Sequence, residues 1–211
     1  MDITNIIKGN KRFRELHFPK LEDRFDDLVE NGQKPKILFI CCSDSRVVPD
    51  LIVDSKPGDL FVLRNIGNFV PPYKNDTDFH GSSAAIEYAV SVLEVEDIIV
   101  CGHSHCGACA SLYQDLKDEE NLVHVNKWLE LGKNAKVNID IQTLKKKKRN
   151  KILRKTEKDS IKYQLSNLLT YPDVLRKIKS KKLNIHGWYY KIEDGIISCY
   201  DKENNNFKDL K

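Results

Sequence analysis

Lys36-Ile37-Leu38-Phe39-Ile40-Cys41-Cys42-Ser43-Asp44-Ser45-Arg46 begins as an apolar run and ends in polar, metal-competent side chains. A run this short, rich in Ile and Phe, reads as a strand over residues 36–41 buried on both faces. The same form returns downstream. Asp97-Ile98-Ile99-Val100-Cys101 reads as a second buried strand, and Gly102-His103-Ser104-His105-Cys106-Gly107 follows at once. Helical patterns surround the two. Residues 2–16 are amphipathic, 21–31 form a second helix, and Pro49 opens a helical turn. The Pro57-Gly58-Asp59 turn leads into a strand at Leu60–Leu63, and residues 81–93 read as a helix. Further helices are expected over 107–117, 122–132, 156–170 and 172–179. Two last β runs, Asn184–Ile192 and Ile196–Asp201, flank Glu193-Asp194-Gly195 as a hairpin. Strands alternating with helices predict an α/β fold: a mostly parallel sheet flanked by helices, with the C-terminal hairpin as an antiparallel edge.

With 211 residues and 40% of them hydrophobic, the chain is read as one domain, 1–211, with a sizeable core. That composition excludes a disordered chain. No apolar run approaches the roughly 20 residues of a spanning helix, so no membrane association is expected. Met1-Asp2-Ile3-Thr4-Asn5 lacks the pattern of a secretory signal. The net charge of +4 is not spread evenly. Residues 133–158 hold 11 Lys and Arg against Asp140 and Glu157, a local +9. The other 185 residues hold 24 Lys and Arg against 29 Asp and Glu, a net of −5. The segment Lys145-Lys146-Lys147-Lys148-Arg149 has no aromatic residue for base stacking. It reads as a basic surface segment on a solvated helix or loop, and no nucleic-acid partner is expected. Six cysteines in apolar, strand-like runs read as reduced thiols of a cytoplasmic protein, some of them metal ligands.

In a parallel sheet both polar stretches lie at the C-terminal ends of strands, where open α/β sheets place ligands. If the strands are neighbours, Cys42, His103 and Cys106 converge. Two thiolates and an imidazole suit Zn²⁺, and three protein ligands leave a fourth position open, as in catalytic sites. Water bound there loses its proton near neutral pH and becomes a hydroxide nucleophile. Two thiolates cancel the metal's charge, so activity is expected to rise on the alkaline side of neutral. Asp44 and Arg46 carry opposite charges two residues apart. A carboxylate paired with guanidinium stays ionised and only accepts hydrogen bonds. Beside the hydroxide it accepts the one proton and aims the lone pair at the substrate. Backbone N–H groups near Gly107 offer donors to a developing negative charge.

Cys-x-Asp-Ser-Arg followed some 60 residues later by His-x-x-Cys resembles the β-class carbonic anhydrases. The likeness extends to Pro57-Gly58-Asp59-Leu60-Phe61-Val62, Arg64-Asn65-Ile66-Gly67-Asn68, Pro71-Pro72, Ala85-Ile86-Glu87-Tyr88-Ala89 and His186-Gly187-Trp188. The resemblance implies reversible hydration of CO₂ to bicarbonate, with one zinc per chain on Cys42, His103 and Cys106 and an Asp44–Arg46 dyad. It implies an apolar cleft lined by Phe61, Ile66 and Tyr88, with Gln33 supplied across a dimer interface. It implies an intertwined homodimer, or a homotetramer built from it, in which the N-terminal helices of residues 1–32 pack on the partner. Gly67 stands where alanine is usual and Ala108 where a second glycine is frequent; both read as small departures. Phe39 stands where members with an inhibitory bicarbonate site resemble one another in carrying tryptophan. That implies no such site here, with Asp44 held on Arg46.

Two other readings stand beside this one. The cleft of a fold relative admits another small linear molecule, such as carbon disulfide. Cys106-Gly107-Ala108-Cys109 at a helix start has the form of a redox motif, or adds a fourth ligand that closes the metal site. His103 and the separate Cys42–Arg46 unit count against the redox reading. His105 invites a proton-shuttle role because histidine titrates in the right range, although local alternation turns it away from His103. His80, His124 and His186 read as structural, and Trp128 and Trp188 as core or interface aromatics.

Overall fold

The computed structural model describes residues 1–76, 78–114 and 120–210. The apolar run at residues 37–42 is strand β1 (Ile37–Cys42), and the second is β3 (Asp97–His103). Between them lies β2 (Leu60–Asn65); β4 (Asn184–Tyr190), β5 (Ile197–Asp201) and β6 (Asn206–Asp209) follow. Among the described residues these strands form one sheet in the order β2-β1-β3-β4-β5-β6. The first four are mutually parallel, and β5 and β6 add antiparallel strands at one edge. This is the expected α/β architecture.

Burial on both faces explains the unbroken apolar pattern of β1. Leu38, Phe39, Ile40 and Cys41 are all fully buried. Leu38 and Ile40 join a cluster with Ile161, Leu165 and Leu168 of the helix Lys146–Leu168. Phe39 and Cys41 face the other way, toward Val47, Ile99 and Trp188. Burying each of the three large β1 side chains contributes about 1.5–3 kcal/mol.

The connections decide where a ligand can sit. After β1 the chain leaves through the short helix Pro49–Val53 to β2, on one side of β1. It returns through the helix Gly81–Glu87 to β3, on the other side. The continuations of β1 and β3 therefore diverge, and a crevice opens between their C-terminal ends. Cys42 and His103 are the last residues of those two strands.

Several elements differ from expectation. The helix expected over 156–170 starts at Lys146, ten residues earlier, so the basic segment is its first turns. Residues 146–168 contain no Gly or Pro, and Lys and Arg are good helix formers. Packing of the second half on the sheet lets the solvated first half propagate. The approach is close: a Cβ on Gly102 would lie 2.7 Å from the Ile161 side chain. The helix expected over 107–117 is only Gly107–Ser111, and residues 115–117 of that expectation lie outside the described residues. Tyr113 turns away to bond the Thr156 hydroxyl at 2.6 Å and to accept the Val137 N–H at 3.0 Å. Strand β6 was not expected. It has one large apolar residue, Phe207, so it carries almost no hydrophobic pattern.

The N-terminal helix Ile3–Arg12 buries none of its residues. Ile3, Ile6 and Ile7 are 69%, 55% and 65% exposed, an apolar stripe left uncovered by the described residues. Among the described residues no helix is long and apolar enough to cross a membrane.

Candidate metal centre

Three donors meet in the crevice. Cys42 ends β1, His103 ends β3, and Cys106 stands immediately before the helix Gly107–Ser111. Their ligating atoms all lie within 4.8 Å of one another, and all three residues are buried. His103 is held in one tautomer. Its Nδ1 lies 2.8 Å from the Ser104 carbonyl oxygen. A carbonyl only accepts, so Nδ1 carries the proton and Nε2 presents a lone pair. That Nε2 is buried and has no hydrogen-bond partner among the described residues. An unmet acceptor inside a protein is costly, and facing two thiols it has the chemistry of a metal ligand. Contact with the Cys106 thiol, together with burial, pushes the Cys42 thiol up to about 12. Contact with Cys109 and burial also raise the Cys106 thiol. A divalent cation reverses this by displacing the thiol protons. Zn²⁺ fits the donor set. Cys109 and Asp44 fall outside the cluster, so the described residues supply three donors there.

Asp44 and Arg46 form a two-pronged pair beside the cluster. Arg46 donates from Nε to Oδ1 at 2.9 Å and from Nη2 to Oδ2 at 2.7 Å, and its backbone N–H also reaches Oδ1 at 3.0 Å. Hydrogen bonding to Arg46 holds the Asp44 carboxyl well below the ordinary range, against the opposing effect of burial. Asp44 Oδ2 stands 3.9 Å from His103 Nε2, so the carboxylate looks into the site without binding the ring. Arg64 of β2 stitches the loop that carries the pair. It donates to the carbonyls of Cys42 at 3.3 Å, Asp44 at 2.9 Å and Val47 at 2.7 Å. Phe39, three residues before Cys42, packs edge-on against Trp188 at 6.0 Å and offers no donor.

The turn from His103 to Cys106 is strained and strongly held. His105 has φ +57, a left-handed conformation uncommon outside glycine. Ser104 N–H reaches the Tyr190 carbonyl, and Arg46 reaches the His105 carbonyl at 3.0 Å. Glu193 of the hairpin accepts from the Ser104 hydroxyl at 2.5 Å and bonds the His105 ring at 2.8 Å. The His105 ring is thus turned to Glu193 and away from the cluster. The Ser104 hydroxyl foremost, with help from His105, holds the Glu193 carboxyl down to about 2. A depressed carboxylate stabilises the fold fully above its ordinary value of about 4.5 and loses that contribution as pH falls toward 2. Glu193→Gln is expected to flatten this part of the acid loss, read as melting temperature against pH over that window.

Gly67 is more constrained than its sequence suggests. Its N–H reaches the Cys42 sulfur at 3.4 Å, and its φ is +77. A Cβ there would lie 2.8 Å from the Phe69 ring and 2.9 Å from the Ala108 Cβ. Glycine at 67 and alanine at 108 are therefore one packing arrangement and not two independent small changes. Gly67→Ala is expected to cost about 2–4 kcal/mol from backbone strain and overpacking. Adding Ala108→Gly should recover part of the loss in thermal denaturation.

The expected cleft residues do not all gather here. Ile66 follows β2 beside Cys42, is 47% exposed, and has its carbonyl held by Trp128 Nε1 at 2.7 Å. The space beside Gly107 is open. Phe61, however, pairs with Leu38, four residues down the strand from the Cys42 level, roughly 13 Å away. Its ring packs at a tilt against Tyr88, 5.8 Å between centres, so both stand apart from the cluster. Gln33 is exposed, and its neighbours Gly32 and Lys34 line a cavity with Ile37 and Gly58, at the opposite end of β1 from Cys42. His80 bonds Asp76 at 2.6 Å and His186 bonds Asp97 at 2.7 Å, both away from the site. Sequence reasoning gave no role at the site to Ser104, Glu193, Trp128 or Glu157, whose bonds around it span 51 to 89 residues; no local pattern marks them.

Known proteins share this arrangement of chain and fold. The carbonic anhydrase family profile matches residues 37–197. A carbonic anhydrase of Synechocystis sp. is 42% identical over 94% of this chain and 71% of that protein. The solved β-carbonic anhydrase CcaA superposes with a TM-score of 0.88 at 40% identity, covering 99% of both chains. One of two tetrameric β-carbonic anhydrases from Sordaria macrospora superposes with a TM-score of 0.69 at 31% identity, over 93% of this chain and 92% of that one. A profile match across most of the chain, with this identity and shared fold, makes the chain a member of the β-class carbonic anhydrases, which are carbonate dehydratases.

Proposed function

We propose that the chain hydrates CO₂ reversibly to bicarbonate and a proton at a zinc centre held by Cys42, His103 and Cys106. The buried, unpartnered Nε2 of His103, aimed between two thiols, carries this reading. Bound Zn²⁺ supplies Lewis-acid activation of water near neutral pH. The chain's own groups do the rest. Asp44, kept ionised by Arg46, accepts a hydrogen bond from the attacking oxygen and turns its lone pair toward the carbon of CO₂. Gly107 follows Cys106 at the start of a helix, with open space at its Cα, and its N–H donates to the oxygen that gains charge as bicarbonate forms. Ile66 lends the apolar wall that a nonpolar substrate needs.

Gln33, Phe61 and Tyr88 act from a second copy. In their own chain they stand far along the sheet from Cys42, so a homodimer completes the cleft. The apolar stripe Ile3, Ile6 and Ile7 fits the same assembly, packing on the partner subunit. Pairs of such dimers give a tetramer. Six free thiols suit a reducing, cytoplasmic setting.

Metal analysis joined to stopped-flow CO₂ hydration tests the reading. About one zinc per chain is expected, with activity lost on chelation and restored by zinc. A folded, zinc-loaded chain that hydrates CO₂ no faster than the uncatalysed reaction would sink it.

A further inference from the structure

Glu157 is the single carboxylate buried among the described residues, with 2% of its surface exposed. It projects from the helix Lys146–Leu168, where the basic segment turns inward. Its Oε1 accepts the backbone N–H of Cys106 at 3.1 Å and the Arg154 guanidinium at 2.5 Å. Its Oε2 accepts the Tyr189 hydroxyl at 2.8 Å. A buried ion pair is a poor device for stability alone, since packed apolar side chains often do as well or better. Its contact with Cys106 gives it another use. The Cys106 carbonyl already accepts the Ala110 N–H at 3.1 Å. With the N–H held by Glu157, both sides of the Cys106 backbone are fixed. That sets the direction of its Cα–Cβ bond, from which the sulfur reaches into the cluster, directly after the strained His105.

We propose that Glu157 is a positioning residue for the metal centre, holding the Cys106 backbone so that its sulfur faces Cys42 and His103. Arg154 and Tyr189 hold the carboxylate in turn, so the inward face of the helix Lys146–Leu168 braces the Cys106 backbone through Glu157. This rests on the reading of the cluster as a zinc site.

The test is zinc affinity of the folded chain, measured by competition with a chelator. Glu157→Asp withdraws the carboxylate by one methylene from the Cys106 N–H. It is expected to weaken zinc binding by about 10- to 100-fold, the usual cost of losing an outer partner of a metal ligand. Glu157→Gln keeps the length and an acceptor oxygen, and should bind within about 3-fold of wild type. Ile161→Val loosens the same helix without touching Glu157, and should lower the melting temperature while leaving affinity unchanged. Affinity within about 3-fold for Glu157→Asp, or equal weakening in Ile161→Val, overturns the assignment. If Glu157→Asp does not fold, Tyr189→Phe carries the test: it frees one carboxylate oxygen, a several-fold loss is expected, and unchanged affinity overturns the assignment. A wild-type chain whose zinc binding is indifferent to Cys42→Ala overturns the zinc reading and this assignment with it. The outcomes above overturn the assignment alone.

Discussion

Cys42→Ala is expected to abolish CO₂ hydration and strip the chain of zinc while leaving it folded. The substitution removes one sulfur at the end of β1, a position already 5% exposed. Leu38, Phe39, Ile40 and Cys41 keep their burial, so the strand keeps its hold on the sheet. A loss of about 1 kcal/mol in stability is reasonable for so small a truncation. The effect on metal is far larger. Only His103 and Cys106 would remain as donors, and one negative charge opposite the cation would be gone. Losing an outer partner alone costs about 10- to 100-fold in affinity, so losing a ligand should exceed that range. Metal content, circular dichroism and stopped-flow hydration separate the three quantities. A Cys42→Ala chain that keeps zinc and an ordinary rate would move the centre elsewhere.

Asp44→Asn should act differently, leaving zinc in place and cutting turnover. The carboxylate accepts three hydrogen bonds from Arg46 and stands 3.9 Å from the unpartnered Nε2 of His103. An amide has the same shape but offers one acceptor and a donating NH₂. That NH₂ faces the Arg46 guanidinium or the attacking oxygen, and either arrangement spoils the alignment. Loss of one preorganised electrostatic group of this kind costs about 10²- to 10³-fold in turnover. The pH dependence separates this role from general-base catalysis. Because Arg46 holds the Asp44 carboxyl well below the ordinary range, it stays ionised through mildly acidic pH. Any loss of activity between neutral and mildly acidic pH should therefore persist unchanged in shape in Asp44→Asn. A wild-type rate in Asp44→Asn would remove the residue from the chemistry.

The fold was legible where patterning is local. The two apolar runs announced β1 and β3, and Pro172 through Lys179 is a helix at the expected bounds. Strand β6 escaped because an edge strand that half-buries Phe207 and exposes its other residues leaves no alternation to read. The early start of the helix at Lys146 escaped because a fully solvated helical turn has no apolar face. The donors of the site were legible for the same local reason: Cys, His and Asp–Arg each follow a buried strand, and residue type alone carries ligand chemistry.

What the sequence by itself determined is therefore the chemistry available: two thiols, an imidazole and an ion pair at strand ends, and the family they resemble. The tertiary structure alone decided three other things. It made β1 and β3 neighbours, so that Cys42 and His103 share one crevice. It used Tyr190, Arg46 and Glu193 to fix the turn in which His103 Nδ1 bonds the carbonyl of the next residue, Ser104, leaving the free lone pair on the nitrogen that faces the thiols. It set Phe61, Tyr88 and Gln33 far down the sheet and brought Glu157 across 51 residues to Cys106. The reason is range. Strand burial and side-chain type act over a few neighbouring residues, whereas strand order, tautomer and bracing depend on contacts made only once the chain has closed on itself.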